Sequence, residues 1–239
     1  MKQISELTVK LFGDGADKAD ILRLAQNPLI KGFTTNPTLM RKAGVTDYEA
    51  FAKDILSEVR TLPISFEVFA DDFETMRTQA LKIAGWGDNV YVKIPVTNTR
   101  GVDSYGLIRA LSHDGVKLNV TAMMTTEQVR DACLALKGGA PACVSVFAGR
   151  IADTGRDPVP CMMLALAVIA QVSPGTELIW ASPRELLNVF QADDIGCHII
   201  TATPDILKKL SLVGKDLSDY SLETVQMFYN DAKASGYRL

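Results

Sequence analysis

Short apolar segments alternate with amphipathic segments along the whole chain. Alternating or continuous apolar residues predict strands, and apolar residues that recur every three or four positions predict helices. The predicted strands are 9–13, 31–34, 64–69, 90–96, 116–121, 142–147, 178–181 and 197–201. The predicted helices are 16–26, one that starts at Asn36-Pro37, 47–60, 72–84, 102–113, 126–136, 159–172, 183–190, 204–210 and 222–235.

A strand followed by a helix, repeated about eight times without a linker, is typical of a TIM (β/α)8 barrel. The main alternative is an open doubly wound α/β sheet, which normally carries a glycine-rich phosphate turn early in the chain. Gly13-Asp14-Gly15 does not match that turn. We therefore expect one α/β domain, residues 1–239, with an additional C-terminal helix at about 221–235.

The fourth predicted strand carries one charge in an apolar setting. One face of it is aliphatic: Val90, Val92, Ile94 and Val96. Lys93 lies on the other face, and a lysine is almost never buried without a partner or a task. Burial lowers the pKa of an amine, and a neutral amine attacks a ketone to form a Schiff base. The alternative is that Lys93 reaches solvent at the strand end.

Neighbouring predicted strands place further polar side chains on the same face. These residues are Glu67, Asn119, Thr121 and Ser145, and the strand ends add Asp14, Thr34, Asn36, Ser182 and Arg184. In a barrel they would converge near the C-terminal ends of the strands, where barrel enzymes have their active sites. Taken singly, Asn36 has an alternative role as a helix cap, Asp14 as a turn residue and Arg184 as a solvated charge. Their joint placement favours a site in which two carboxylates, Asp14 and Glu67, share proton transfer near Lys93.

Two arginines follow the sixth and seventh predicted strands. Arg150 and Arg184, with the backbone N–H groups of a helix that begins near Pro183, predict a site for a terminal phosphate. The alternative is a set of solvated ion pairs with nearby carboxylates: Asp153, Asp157 or Glu185.

Composition limits the partners. The 239 residues include 47% hydrophobic residues and carry a net charge of −3, which gives no basic surface for nucleic acid or an anionic membrane. The four cysteines contain no C-x-x-C pair and no secretory leader precedes them, which predicts reduced thiols in the cytoplasm. With only two histidines, a histidine-based metal site is not expected. The most apolar run, 161–172, is too short for a bilayer and predicts a buried core helix.

Seven segments, taken together, resemble one enzyme family. They are Gly13-Asp14-Gly15-Ala16, Gly32-Phe33-Thr34-Thr35-Asn36-Pro37-Thr38-Leu39, Phe66-Glu67-Val68, Val92-Lys93-Ile94-Pro95, Leu118-Asn119-Val120-Thr121, Ser145-Val146-Phe147-Ala148-Gly149-Arg150-Ile151 and Ala181-Ser182-Pro183-Arg184. Over nearly its whole length the chain resembles the transaldolase family, of the compact single-barrel kind related to fructose-6-phosphate aldolases.

The resemblance implies a Schiff-base mechanism with no cofactor and no metal. Lys93 would attack C2 of a ketose phosphate, fructose 6-phosphate or sedoheptulose 7-phosphate, and Asp14 would take the C4 hydroxyl proton as the C3–C4 bond breaks. Glu67 and Thr121 would hold the water that carries protons during imine formation. The implied substrate contacts are Thr34, Asn36, Asn119 and Ser145 for the donor, and Arg150, Ser182 and Arg184 for the phosphate.

The resemblance also bears on whether the reaction is transfer or simple cleavage. The aldolases typically place Gln and Tyr about the catalytic water, whereas this chain has Glu67 and Phe147, the transferase pattern. The alternatives are an aldolase that releases free dihydroxyacetone or acts on a related sugar such as a sulfonated ketose, and a sugar-phosphate binder without activity. The chain departs from the family at Gly13 and in the loops after the first and sixth strands, including 151–158, which affects the acceptor more than the reaction type.

Finally, the resemblance implies small sugar phosphates as partners, a place in the pentose phosphate pathway and a homo-oligomer, a pentamer or a decamer. The predicted helix near the C-terminus is amphipathic, with the apolar residues Leu222, Val225, Met227, Phe228 and Tyr229. It would lie over a neighbouring subunit or, alternatively, cover its own barrel.

Overall fold

The computed structural model describes residues 2–238 and contains a closed barrel of eight parallel strands. The strands are β1 (Lys10–Asp14), β2 (Ile30–Thr34), β3 (Ile64–Glu67), β4 (Val90–Pro95), β5 (Leu118–Met123), β6 (Ala142–Val146), β7 (Thr176–Trp180) and β8 (Ile199–Ala202). They follow one another around the barrel in chain order, and β8 closes it by pairing with β1. The predicted TIM barrel is therefore confirmed, and the open sheet is excluded.

Helices follow the strands on the outside of the barrel. They are α1 (Lys18–Ala25), α2 (Pro37–Lys42), α3 (Tyr48–Glu58), α4 (Phe73–Ala84), α5 (Tyr105–His113), α6 (Thr126–Leu136), α7 (Ala148–Ala152), α8 (Pro158–Val172), α9 (Leu187–Asp194), α10 (Pro204–Lys208) and α11 (Leu217–Ser235). Short 3-10 helices span Ile4–Glu6 and Lys209–Leu212. Several of these helices begin at a polar side chain that accepts a free N–H of the first turn. For example, Asp72 accepts the N–H of Thr75 at 2.8 Å at the start of α4.

Two apolar layers hold the barrel. The larger one lies between the strands and the helices and contains the aliphatic face of β4. The smaller one fills the barrel interior and contains Phe12, Cys143, Ile179, Ala181 and Ile199. Phe12 fits there because Gly32 lies opposite, where a Cβ would come within 2.5 Å of the Phe12 ring. Apolar side chains thus fill much of the barrel interior, and the polar residues that face inward lie near the C-terminal ends of the strands.

Two predicted helices begin later in the structure than expected, and one helix of the structure was not predicted. The helix predicted at 183–190 begins only at Leu187, and the helix predicted at 102–113 begins at Tyr105. The short helix α7 was not predicted as an element of its own. Its five residues are too few for a periodic apolar pattern to be read from sequence.

The apolar run 161–172 forms a helix packed against the barrel, as predicted, but the prediction that it is buried was wrong for its outer face. Helix α8 buries Met162, Ala165 and Ile169 against the barrel, but Met163 and Leu164 are more than half exposed. A run that is apolar all round has no amphipathic pattern, so the sequence did not indicate which face would be outside.

The C-terminal helix α11 is confirmed and is longer than predicted. It begins at Leu217, because Asp216 accepts the N–H groups of Ser218 and Asp219, and it ends at Gly236, which has a φ of 65°. Throughout this helix, as far as residues 2–238 are described, no residue is buried. Over the same residues, no helix is long and apolar enough to cross a membrane.

Candidate active site

A cavity of about 500 Å³ opens at the C-terminal ends of the strands. Its lining includes nearly all of the predicted site residues: Asp14, Thr34, Asn36, Glu67, Lys93, Thr121, Ser145, Phe147, Arg150, Ser182 and Arg184. These residues come from β1 to β7 and the loops that follow them, so the barrel assembles the cavity from positions far apart in the chain. Asn119 is the predicted site residue that does not line it.

Lys93 lies on the inner wall of the barrel, and its side chain is only 7% exposed. The register pairs Lys93 with Glu67 on β3, which brings their side chains together. The Lys93 Nζ lies 3.1 Å from Glu67 Oε2 and donates a hydrogen bond of 2.8 Å to the Thr35 carbonyl. Lys93 therefore does not reach bulk solvent at the strand end, and its amine is both enclosed and oriented.

The Glu67 backbone is held by Tyr48, a residue that the sequence analysis did not single out. The Tyr48 hydroxyl accepts the N–H of Glu67 at 2.8 Å and donates to the Glu67 carbonyl at 2.9 Å. Burial raises the pKa of the Tyr48 hydroxyl, so it stays protonated and able to donate. No local pattern indicates this contact, because Tyr48 belongs to the first turn of an outer helix.

Asp14 lies at the end of β1, and its carboxylate is linked by hydrogen bonds to two threonine hydroxyl groups in succession. Thr34 Oγ1 donates to Asp14 Oδ1 at 2.7 Å and lies 2.5 Å from Thr201 Oγ1. Because Thr34 has one hydroxyl hydrogen, Thr201 donates to Thr34. Thr201 was missed, although it lies two residues after Ile199 in a predicted strand and so shares the inward face.

The pKa of Asp14 is raised, chiefly by burial. The positive charge of Lys93 and the hydrogen bond from Thr34 act in the opposite direction, and the charge of Glu67 raises the pKa further. A carboxylate with a raised pKa is a stronger base than an ordinary aspartate.

Asn119 and Ser145 form a buried network beside Lys93. Ser145 Oγ donates to Asn119 Oδ1 at 2.7 Å, and Asn119 Nδ2 donates to Ser65 Oγ at 3.0 Å. Asn119 is fully buried, so in this structure its amide orients Ser145 instead of facing the cavity.

Thr121 contributes a hydroxyl to the cavity wall. Its Oγ1 is buried and has no hydrogen-bond partner within residues 2–238. A buried hydroxyl without a partner is costly, so a polar ligand or a water molecule at this wall would satisfy it.

Two arginines line the cavity after β6 and β7. Arg150 lies over the Phe147 ring, 5.6 Å from its centroid. Arg184 forms an ion pair with Asp153, and its Nε lies 3.5 Å from the Gly149 carbonyl. One of the ion pairs considered as an alternative from sequence is therefore present, and it occurs on a guanidinium that also lines the cavity.

The predicted helix N-terminus at Pro183 is absent, which corrects one part of the expected phosphate site. The N–H groups of Arg184 and Glu185 donate to Asn188 Oδ1, at 2.7 and 3.2 Å. Asn188 therefore uses the donors that a helix beginning at Pro183 would have turned towards an anion. The side chains of Arg184 and Ser182 remain on the cavity wall.

Ser182 adopts a left-handed backbone conformation with a φ of 57°, which is unusual for a residue other than glycine. Its carbonyl turns towards Gly149, where a Cβ would lie 1.6 Å from the Ser182 oxygen. The two loops that carry the arginines can therefore meet only if residue 149 is glycine. Ala122, with a φ of 65°, is a second strained residue on the cavity wall.

A family model described as Transaldolase/Fructose-6-phosphate aldolase matches residues 11–238. The chain belongs to this family. The matched residues include all eight strands except Lys10, the first residue of β1, and they include all of the cavity residues. The predicted membership is thereby confirmed, and so is the general aldol-type reaction that the family shares.

Curated relatives of the family match over most of their length. A probable transaldolase of Brucella anthropi is 37% identical over 216 residues, which are 90% of this chain and 94% of the relative. A probable transaldolase of Hyphomonas neptunium is 36% identical over 231 residues, with 95% and 99% covered.

More distant solved structures share the fold. A putative lyase/mutase from Burkholderia cenocepacia superposes with a TM-score of 0.60 at 12% identity, over 97% of this chain and 85% of the other. Dihydrodipicolinate synthase from Rhodopseudomonas palustris gives a TM-score of 0.55 at 15% identity, over 97% and 81%. At these identities the similarity concerns the barrel alone.

The described residues of this family member offer no metal centre. Within residues 2–238, no group of three or more His, Cys, Asp and Glu side chains is placed to hold a metal ion. The polar groups of the cavity are instead the amines of Lys42 and Lys93, two carboxylates, the Asn36 amide, hydroxyls and two guanidinium groups.

Proposed function

We propose that the protein is a transaldolase that transfers a dihydroxyacetone unit from a ketose phosphate, fructose 6-phosphate or sedoheptulose 7-phosphate, to an aldose phosphate. The observation that carries the proposal is the enclosed Lys93 amine, 3.1 Å from the Glu67 carboxylate, on the wall of a cavity that also contains Asp14. A binding site alone has no need for an enclosed amine beside a carboxylate.

Imine formation is assigned to Lys93, Glu67 and Thr121. The Lys93 nitrogen attacks C2 of the ketose, and the C2 oxygen takes up one proton lost by the amine and then a second proton before it leaves as water. Glu67 and the unpartnered hydroxyl of Thr121 hold the water molecule that delivers this proton. The iminium ion that results draws electrons from the neighbouring carbon–carbon bond.

Bond cleavage is assigned to Asp14. Its carboxylate removes the C4 hydroxyl proton, C4 becomes an aldehyde, and the C3–C4 electron pair moves to the iminium to give an enamine. The raised pKa of Asp14 favours this proton transfer, because it brings the base closer to the pKa of the group it acts on. In the second half-reaction the enamine attacks the acceptor aldehyde, Asp14 returns the proton, and water releases the new ketose.

One group of cavity residues is assigned to the hydroxyl groups of the substrate and another to its phosphate. Thr34, Asn36 and Ser145 are assigned to the hydroxyl groups of the donor, with Asn119 acting behind Ser145. Arg150, Ser182 and Arg184 are assigned to the phosphate, since guanidinium groups bind phosphate through paired hydrogen bonds. Phe147 supports Arg150 and lies where the transferase pattern of the family expects Phe.

Progress curves test transfer against simple cleavage. With fructose 6-phosphate as donor, we expect glyceraldehyde 3-phosphate to form at a steady rate only when erythrose 4-phosphate is present. Without the acceptor, a burst close to one product per active site should precede a slow phase, because the dihydroxyacetone enamine stays on Lys93. Both progress curves are measured at a saturating concentration of fructose 6-phosphate.

Sustained release of free dihydroxyacetone without an acceptor would contradict transfer and support the aldolase alternative. Turnover of a sulfonated ketose in preference to fructose 6-phosphate would support the related-sugar alternative. Binding of the donor without a burst and without turnover would contradict both enzymatic proposals.

We also propose that the protein forms a homo-oligomer, a pentamer or a decamer. The support comes from α11, whose apolar residues Leu222, Val225, Phe228 and Tyr229 are each at least 56% exposed. A row of exposed apolar side chains on one helix is typical of an interaction surface. Sedimentation velocity should show a species several times the 26.0 kDa mass of the chain, and a single 26.0 kDa species at micromolar concentration would contradict the proposal.

The remaining proposals concern the setting of the reaction. We propose a place in the pentose phosphate pathway, which follows from the sugar phosphates assigned as substrates. We propose the cytoplasm as the compartment, since all four cysteines are free thiols, as is usual in a reducing environment.

A further inference from the structure

We propose that Tyr48 is a positioning residue that holds Glu67 and Lys93 in their productive arrangement. The inference rests on the proposed function, because it concerns the rate of imine formation at Lys93. Tyr48 does not line the cavity, and its hydroxyl acts through the backbone of Glu67.

The barrel is closed, but the pairing of β2 with β3 is short. Strands β2 and β3 are paired only at two positions, Phe33 with Ile64 and Thr34 with Ser65. The ladder hydrogen bonds between them run from Phe33 N–H to the Pro63 carbonyl and from Thr35 N–H to the Ser65 carbonyl.

One more bond of the same ladder would join the Glu67 N–H to the Thr35 carbonyl, since the bonds of a parallel pair recur every two residues. In this structure that carbonyl accepts the Lys93 Nζ instead, at 2.8 Å. The Glu67 N–H is left for the Tyr48 hydroxyl, at 2.8 Å. Tyr48 thus takes the place of a strand partner and leaves the Thr35 carbonyl free to orient the amine.

The Tyr48 ring is packed among three other aromatic rings. It packs edge-on against Phe66 and Phe69, with centroids 6.4 and 5.6 Å away, and lies tilted against Trp86 at 6.0 Å. Asp47 caps the helix by accepting the N–H of Ala50. A hydroxyl carried on a packed ring in the first turn of a helix has little freedom, which suits a group that fixes a catalytic backbone.

Without the hydroxyl, the Glu67 N–H and carbonyl are both unpaired, and the nearest unused alternative for the N–H is the Thr35 carbonyl. The Glu67 N–H would then donate to the Thr35 carbonyl, and Lys93 would lose its hydrogen bond to that carbonyl. Both the amine and the carboxylate would lose their orientation, while the groups assigned to the substrate would stay in place.

The test is Tyr48→Phe, which keeps the ring and removes the hydroxyl. We expect imine formation, measured as the first-order rate of borohydride trapping with fructose 6-phosphate, to slow about tenfold or more. KM for the donor should change less than twofold, as expected for a loss that affects the reaction step and not binding. The folded fraction of each variant is measured by circular dichroism and the trapping rate is expressed per folded protein, so partial unfolding does not obscure the result.

Trp86→Phe is the matched control. Trp86 belongs to the same aromatic cluster, and its Nε1 makes no hydrogen bond to the part of the chain that the structure describes. This variant should lower the melting temperature and leave the trapping rate within twofold of wild type. Equal rates for wild type and Tyr48→Phe, or an equal slowing by both variants, would overturn the positioning role. Failure of the wild type itself to form an imine would instead overturn the proposed function.

Discussion

Lys93→Met abolishes both turnover and the covalent adduct, with kcat reduced by about 10⁴-fold or more, because no other group can form the imine that accepts the electrons of the C3–C4 bond. Methionine keeps the unbranched shape of the side chain and fits the buried position, so the barrel should stay folded. The measurement is mass spectrometry of intact protein after incubation with fructose 6-phosphate and borohydride. Wild type should gain one reduced dihydroxyacetone unit, and peptide mapping should locate it on Lys93.

Lys117→Met is the control for this prediction. Lys117 precedes β5 and donates to the Asp88 carbonyl, away from the cavity. Its loss should leave both the adduct and the turnover unchanged. An adduct that persists in Lys93→Met, or an active wild type that never forms one, would contradict the Schiff-base mechanism.

Asp14→Asn should have opposite effects on activity and on stability. Removal of the base should slow cleavage by about 10²- to 10⁴-fold. The imine should still form, so borohydride should now trap the whole ketose phosphate on Lys93 instead of the dihydroxyacetone unit. This difference in trapped mass separates the role of Asp14 from that of Lys93.

The stability effect follows from the raised pKa of Asp14. Because the folded protein binds this proton more tightly than the unfolded chain, ionisation of Asp14 costs folding free energy as the pH rises through the raised pKa. The cost is absent below the ordinary pKa of an aspartate, about 4, and grows as the pH rises from there through the raised pKa of the folded protein. Asp14→Asn should therefore raise the melting temperature near neutral pH and have a smaller effect in acid.

Asp17→Asn is the control for Asp14, because it lies in the same loop and asparagine caps a helix as well as aspartate does. It should leave activity and melting temperature near those of wild type. The assignment of Asp14 would be contradicted if Asp14→Asn released the aldose at the wild-type rate. A lower melting temperature at neutral pH would contradict the account of its pKa.

The same raised pKa sets the acid side of the activity profile. If Asp14 works as a carboxylate, cleavage should decline at a higher pH than an ordinary aspartate would give. The charge of Lys93 lowers the pKa of Asp14 and the charge of Glu67 raises it, so both charges contribute to where this decline occurs.

Much of the barrel and of the cavity could be predicted from sequence, because both depend on a local property. Alternation along a strand assigns each side chain to one face, so Glu67, Lys93, Thr121 and Ser145 were placed inside together. The same rule extends to Thr201, which was missed although it lies at the end of a predicted strand. The chemistry of these residue types then indicated a reaction without any measured distance.

Other features depend on contacts that no local pattern carries. Pro183 and the residues after it have the composition of a helix start, yet Asn188 binds the free N–H groups and Ser182 turns to meet Gly149. The depth of Asn119 also could not be read from sequence. The odd or even position of a residue along its strand gives the face on which it lies, but not its height along the barrel axis.

The sequence by itself determined the order of strands and helices, the inward face of each strand and the residue types available for chemistry, since these follow from side-chain alternation and composition. Only the tertiary structure decided which of these groups touch. The pairing of Glu67 with Lys93 depends on the register of two strands, and the link from Tyr48 to Glu67 depends on an outer helix that fills a gap between β2 and β3. Such contacts join residues distant in the chain, so their geometry is set by the closed barrel and not by any single segment.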